Sequence, residues 1–358
     1  MTLPVRFATD AEIANWDNLV IANPDHGSMY QAESFAIAKA IGGWKPLRLI
    51  FNEENTEAKP RVAGLFIERS IPGLGKIWYS PTGPGFGSAE QVAAIVPALK
   101  EFAASHGVFL VKLESELIYS EQADKTLRSA GLVKVDNVQP ISSTVMIDLS
   151  PDIDTILADM PQKGRYAIRR AARDGVTVAE APLTEENMRT MYKLLGATGD
   201  DAGFMIRTYD YYVSFWNEYA NRDQGKMFFA YVDGEVVAGA YTGWMGFKAW
   251  YKDGASIRDR KAYGASHALQ WHIIEWHKAR GQAVSYDMMG CPPSDQLKDP
   301  THHLHGIGMF KTSLSPIVID RVGTYDLVVD EKKTQLWNKF GYRIAGKLNR
   351  MFRKEVYF

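Results

Sequence analysis

Hydrophobic and polar positions fall into short runs whose period changes repeatedly along the chain. Gln31–Ile41 reads as a short helix. Pro46–Asn52 and Arg61–Ser70 alternate with period two, as the arms of a hairpin around the polar turn Glu53–Lys59. Lys76–Ser80 predicts a third strand, which enters the Gly/Pro loop Pro81–Gly87. A helix over Ala89–Ser105 should stop at Gly107, and a strand over Val108–Glu114 follows.

The same order returns in the middle of the chain. Tyr209–Tyr219 reads as a helix, and Met227–Val232 with Glu235–Trp244 as a hairpin over Asp233-Gly234, a strong short turn signal. Phe247–Asp253 is a strand, Ala265–Arg280 a helix stopped by Gly281, and Val284–Asp287 a strand. The second series follows roughly 175 residues after the first, which points to a duplicated α/β unit. An antiparallel hairpin, a strand and a β-loop-α-β is the layout of GNAT-type acyltransferases. There, a glycine-bearing turn into the helix aims N–H groups at a pyrophosphate. Lys261-Ala-Tyr-Gly264-Ala-Ser266 stands at that place, although many helices start this way.

Composition narrows the class. The 358 residues suit two domains, and 46% hydrophobic with 23% charged residues excludes a disordered chain, a collagen and a coiled-coil rod. A net charge of −1 means that a polyanion must be met by local patches. The single cysteine, Cys291, excludes an intrachain disulfide and a CxxC site, and fits a reducing compartment. No run approaches the length of a membrane span and no secretory leader is read, so a cytoplasmic protein is expected.

Candidate chemistry is then sought residue by residue. There is no P-loop, no GxSxG elbow and no HExxH. His302 and His305 could share a helical face, but no complete ligand set accompanies them, so a polar turn is expected and no metal site. Cys291 reads as a small buried or loop residue. Lys163–Arg173 carries five cations and no acid, with Arg165, Arg169 and Arg173 at i, i+4 and i+8. Like charges at that spacing oppose the helix, so a polyanion such as RNA suits them. Glu331–Phe358 holds eight Lys or Arg against two Glu. Its stripe Leu336, Trp337, Phe340, Ile344, Leu348 and Phe352 is expected to pack on the protein itself. Anionic lipid and nucleic acid remain open for its basic side.

Several ordered fragments resemble the Fem-type (FemABX) non-ribosomal peptidyltransferases, which build the interpeptide bridge of peptidoglycan. They are Gln31-x-x-x-Phe35-x-x-x-Lys39 with Trp44-Lys45-Pro46; Tyr79-Ser-Pro-Thr-Gly-Pro84; Asp148-Leu149 with Lys163-Gly-Arg165-x-x-x-Arg169-x-Ala171; Gly239-Ala through Tyr251-x-x-Gly254-Ala-Ser256; Tyr286-Asp-Met-Met-Gly290; and His305-Gly-Ile-Gly-Met-Phe310-Lys311 on to Val322-Gly-Thr-Tyr325. The resemblance covers nearly the whole chain. It implies an α/β (α+β) fold of two tandem GNAT-like domains facing a long cleft, at 1–145 and 146–316. A C-terminal segment, 317–358, would return to the first domain and end in the basic helix. No long helical hairpin is evident between Thr184 and Asn221, so the chain resembles the compact, armless type.

The implied chemistry is transfer of an amino acid from aminoacyl-tRNA to the side-chain amine of residue three of a stem peptide, on lipid II or UDP-MurNAc-pentapeptide. By family position Lys39, Arg207, Tyr211 and Tyr251 would bind this acceptor, Lys39 and Arg207 through its diphosphate. Lys311 would act at the transfer step. Glu114 would be an assisting base, although the family has Asp-Pro where this chain has Glu114-Ser115. The face of Arg165, Arg169, Arg170 and Arg173 would hold tRNA. No cofactor is implied. A cytoplasmic monomer is expected, with peripheral membrane contact left open. A CoA-dependent N-acetyltransferase using the Gly264 turn is the first alternative, and a non-catalytic RNA- or membrane-binding protein the second.

Overall fold

The computed structural model describes residues 5–53, 55–56, 60–202, 205–257, 263–353 and 357. Its strands, in chain order, are β1 (Val5–Phe7), β2 (Lys45–Phe51), β3 (Val62–Ile71), β4 (Gly75–Ser80), β5 (Val108–Leu113), β6 (Leu132–Lys134), β7 (Ser143–Asp148), β8 (Thr177–Glu180), β9 (Gly225–Val232), β10 (Glu235–Met245), β11 (Lys248–Ser256), β12 (Ser285–Gly290), β13 (Val318–Asp320) and β14 (Tyr325–Val328). They form two seven-stranded sheets, ordered β1-β2-β3-β4-β5-β14-β6 and β8-β9-β10-β11-β12-β7-β13.

The two orders correspond strand for strand. In each sheet one neighbouring pair is parallel, β4/β5 and β11/β12, and the other pairs are antiparallel. The duplication inferred from element order is therefore present in the topology. The sixth place breaks the simple repeat: β14 fills it in one sheet and β7 in the other. Contacts divide the chain into one unit of Met1–Ser142 with Arg321–Phe358 and a second of Ser143–Asp320.

Local signals explain the elements. Helix Ala89–Ser105 starts where Ser88 accepts a hydrogen bond from the Gln91 N–H at 3.3 Å. It gives way to Gly107, whose φ of 74° suits a residue without Cβ. Helix Ala265–Arg280 ends the same way at Gly281, φ 67°. Asp233 and Gly234 both take positive φ, 51° and 83°, as a tight turn between β9 and β10 requires. β3 and β10 are buried along most of their length because helices cover both faces, so they read as apolar runs rather than clean alternations. Between Thr184 and Asn221 the chain forms helices Glu185–Ala202 and Tyr209–Asn221, 18 and 13 residues long.

The C-terminal segment departs from expectation. It is helical from Glu331 to Arg353, with one π-helical turn at Trp337–Gly341. Trp337 is buried, but Leu336, Phe340, Ile344 and Leu348 are exposed, so this stripe does not pack into the protein's own core. The π turn accounts for this. It adds a residue to one turn, so a stripe drawn at uniform α-helical spacing does not stay on Trp337's face. The side chains of Phe352, Arg353 and Lys354 lie outside the described residues, as do Lys261 and Ala262 of the Gly264 turn.

Candidate functional site

In the second unit, β11 and β12 pair from Lys248↔Ser285 only as far as Trp250↔Asp287, although both strands continue. Beyond that point their edges are released from each other. Two irregularities aim the side chains there. Tyr241↔Asp253 is followed by Thr242↔Tyr251, which leaves Lys252 as an extra residue in β11. In β12, Met289 is left-handed at φ 59°, a strained conformation for an unbranched non-glycine residue. Asp287 holds it there, accepting the Met289 N–H at 2.6 Å and the Thr144 hydroxyl.

Lys311 reaches this place. It ends helix His305–Lys311 and donates to the carbonyls of Gly290, at 2.7 Å, and Met289, at 3.2 Å. Its ammonium stands 5.7 Å from the Tyr251 ring. Burial lowers its pKa to about 8, while the neighbouring Cys291 and Asp287 pull the other way. A lysine of that kind changes charge near neutrality, as acid–base and electrostatic catalysis require. Tyr251 is half-buried and lies over Gly254, where a Cβ would collide with its hydroxyl. Burial, and then the charge of Asp253, raise the Tyr251 pKa, so this hydroxyl stays protonated.

The lysine's helix is pinned from outside. Ser313 meets His267 Nε2 at 2.9 Å, and the His267 ring packs edge-on to Phe310 at 4.9 Å. Burial, then the charge of Lys163, lower the His267 pKa to about 4, which keeps it neutral in this packing. Helix Gln162–Arg173 approaches closely because Gly164 lies against the Ser313 carbonyl, where a Cβ has no room.

That helix also bears the basic face. Arg169 and Arg173 are exposed. Arg165 is engaged, donating to the carbonyls of Met160, at 2.6 Å, and Ala158 at the end of the preceding helix. Arg170 donates to Asp174 at 3.1 Å and stacks 4.5 Å from the Tyr263 ring. The four arginines do not form one uncompensated face, because helix termini and a following acid claim two of them.

Arg207 precedes helix Tyr209–Asn221, its guanidinium 4.9 Å from the Tyr211 ring. Tyr211 is itself buried and serves as the platform beneath this cation. In the first unit, Lys39 is a buried residue of helix Glu33–Ile41 and not a surface lysine, with Nζ 5.5 Å from the Phe35 ring. Glu114 follows β5 and is also buried. It accepts the Tyr79 hydroxyl on one oxygen, and the Thr324 hydroxyl at 2.9 Å and Gln139 N–H at 3.0 Å on the other. Burial raises its pKa against those donors. Lys311, Tyr251, Arg207 and Tyr211 thus belong to the second unit, and Lys39 and Glu114 to the first.

Asp287 and Met289, which shape the carbonyl seat of Lys311, lie in the fragment Tyr286-Asp-Met-Met-Gly290 but carry no role in the reading of the sequence. The signal is a carboxylate two residues before a residue that precedes glycine, the pattern of a local Asp turn at a strand end. Among the described residues no group of three His, Cys, Asp or Glu could hold a metal. His302 lies in a turn before the helix that starts at His305, so the two do not share a helical face.

The turn into helix Ala265–Arg280 bears on the acetyltransferase alternative. Gly264 has φ 77°, and a Cβ there would stand 2.5 Å from the Ala167 carbonyl oxygen and 3.2 Å from the Ala171 Cβ. Helix Gln162–Arg173 therefore lies against Gly264 itself, on the side a Cβ would occupy. In the first unit Asn23 and Asp25 similarly crowd Gly85 before helix Ala89–Ser105.

Comparison with known proteins agrees with this architecture. The FemAB family model matches residues 128–235. The lipid II:glycine glycyltransferase of Staphylococcus aureus (strain MRSA252) is 20% identical over 417 residues, covering 94% of this chain and 96% of that protein. The crystal structure of FemX superposes with a TM-score of 0.77 at 16% identity, covering 94% of this chain and 99% of that one. A tandem GNAT protein from the clavulanic acid biosynthesis pathway gives 0.52 at 12% identity, over 92% and 99%. The fold is that of two tandem GNAT-like domains. Over most of its length the chain is similar to Fem-type proteins.

Proposed function

We propose that the chain is an aminoacyltransferase of peptidoglycan precursor synthesis. It would take an amino acid from aminoacyl-tRNA and place it on the side-chain amine of residue three of the stem peptide of lipid II or UDP-MurNAc-pentapeptide. The observation that carries this reading is Lys311, buried and held by two backbone carbonyls where β11 and β12 part, within a Fem-type fold. The naming of the S. aureus relatives as lipid II:glycine glycyltransferases supports the acceptor.

The donor ester is already activated, so no covalent enzyme intermediate is needed. The ammonium loses a proton, and its nitrogen attacks the ester carbonyl. The carbon–oxygen bond to the ribose then breaks, and the ribose oxygen takes up a proton. The protonated form of Lys311 would face the negative charge of the tetrahedral state. Arg207 on its Tyr211 platform, and Lys39 within its own unit, are proposed as ligands of the acceptor diphosphate, and Tyr251 as an acceptor contact. Glu114 is proposed as an assisting base, which would require it to release one of its internal donors. Arg169 and Arg173 are the proposed tRNA contacts.

The test is incubation with a pool of charged tRNAs and the candidate muropeptides. A mass gain of one aminoacyl residue on a muropeptide is expected, and its size identifies donor and acceptor. On this reading acetyl-CoA should give no binding heat. Acetylation of a small amine without tRNA would instead establish the N-acetyltransferase reading.

A further inference from the structure

We propose that the C-terminal helix, Glu331–Arg353, docks on the surface of an anionic lipid membrane. The inference stands apart from the transferase reading and rests on how this helix is held. Trp337 is 1% exposed and packs against Phe109 at 6.2 Å. Gly341 admits its ring, since a Cβ there would stand 2.6 Å away. Asn349 is also buried. Past the helix, Tyr357 is buried beside Trp44 and Trp337, with Arg69 stacked 4.2 Å from Trp44 and 4.9 Å from Tyr357. The Arg69 guanidinium also donates to the Tyr357 carbonyl at 3.2 Å. The segment is therefore fixed on its own unit at both ends.

A helix so fixed nevertheless turns large apolar side chains to water. Leu336, Phe340, Ile344, Leu348 and Met351 are 52%, 53%, 58%, 45% and 58% exposed. With 3.6 residues per turn, Ile344, Leu348 and Met351 share an arc of roughly 60°. Arg343, Lys347 and Arg350, all exposed, occupy the adjoining arc. Lys332 and Lys339 extend the positive charge, and Glu331 is the one acid in the described part of the helix.

Nucleic acid would satisfy the cations and leave the apolar stripe in water. The boundary between lipid headgroups and acyl chains satisfies both at once, with the helix lying in the plane of the surface. No described helix is long and apolar enough to cross a membrane, so the contact proposed is peripheral.

The full chain is tested by flotation with vesicles of phosphatidylglycerol in phosphatidylcholine and of phosphatidylcholine alone, at about 0.15 M salt. The wild type should float with the anionic vesicles and not with the neutral ones. The apolar variant Ile344→Ser/Leu348→Ser/Met351→Ser and the charge variant Arg343→Gln/Lys347→Gln/Arg350→Gln should each lower partitioning by about tenfold or more. Their melting curves should match the wild type, because the replaced side chains are exposed. The proposal is overturned if the wild type ignores anionic vesicles, or if the apolar variant floats as well as the wild type. It is equally overturned if only the charge variant loses binding and tRNA displaces the protein from vesicles, which would make the face an RNA surface.

Discussion

In the first sheet the parallel pair β4/β5 stays bonded from Lys76↔Val108 to Ser80↔Leu113, up to the ends of both strands. In the second, β11/β12 pairing ceases at Trp250↔Asp287, six residues before β11 ends and three before β12 ends. One plan thus gives a closed and an opened version of the same place. Where the strands stay paired, the residue after β5 is a buried carboxylate, Glu114, surrounded by internal donors. Where they part, the released carbonyls of Met289 and Gly290 need donors, and Lys311 supplies them. The lesson is that, after duplication, the copy whose strands part carries a charge able to change near neutrality, while the other keeps its acid inside a hydrogen-bonded network.

The hardest test of this contrast is Lys311→Met. If the opened sheet seats a transition-state cation, kcat should fall by about 10²–10³ while equilibrium binding of the muropeptide changes little. Collapse of binding with normal single-turnover transfer at saturation would make Lys311 a diphosphate ligand. The lowered pKa adds a pH test. A protonated lysine at about 8 predicts that kcat falls as pH rises through about 8, and that Lys311→Met loses this limb. For stability, the folded pKa lies below the unfolded 10.5, so the folded chain holds fewer protons between about 8 and 10.5. This group therefore makes the protein more stable as pH rises through that window, and urea midpoints of wild type against Lys311→Met should show it.

A smaller effect is expected at Arg207. Arg207→Ala should raise the KM for the muropeptide by about 10–100-fold, the loss of a charged hydrogen-bonding group, and leave the KM for charged tRNA nearly unchanged. Tyr211→Phe keeps the ring beneath the guanidinium and should be nearly neutral. Equal changes for both substrates would remove Arg207 from the acceptor site.

Most of the fold could be read from the chain because its signals are local. Ala89–Ser105 and Ala265–Arg280 were delimited by stop glycines, and the β9/β10 turn by Asp233-Gly234. Helix Glu185–Ala202 was not delimited, and the placement of β7 and β14 was out of reach, because pairings with β12 and β5, about 140 and 210 residues away, leave no local trace. At the site, the family resemblance pointed to Lys311 and to the Arg207–Tyr211 pair. Burial of Lys39, capture of Arg165 by carbonyls and pairing of Arg170 with Asp174 depend on tertiary contacts or on side-chain direction. The C-terminal stripe misled for a geometric reason, since the π turn breaks the uniform spacing on which it was drawn.

The closed sheet yields the next test. Because every hydrogen bond described for the Glu114 side chain is one it accepts from a protein group, Glu114→Gln should act more on stability than on chemistry. It should cost about 1–3 kcal/mol in urea unfolding and lower kcat by less than about 10². A larger loss of kcat in a variant of normal stability would establish Glu114 as the base and make the two sheets chemically equal partners.

The smallest effect is expected on the helix that packs against Gly264, and it separates arginines used by the fold from arginines left to a ligand. Arg165 holds the end of the preceding helix through two carbonyls, whereas Arg169 and Arg173 are exposed. A cation that meets a phosphate releases counterions, and each such contact steepens the fall of log affinity with log salt by roughly 0.9 for a duplex. Arg169→Gln and Arg173→Gln should therefore each flatten the salt dependence of tRNA affinity by about that amount, with the melting temperature unchanged. Arg165→Gln should do the reverse, lowering the melting temperature and leaving the slope alone. If Arg165→Gln flattens the slope and Arg169→Gln does not, the tRNA follows the other side of this helix, and the arginine that now closes a helix end must be the one released on binding.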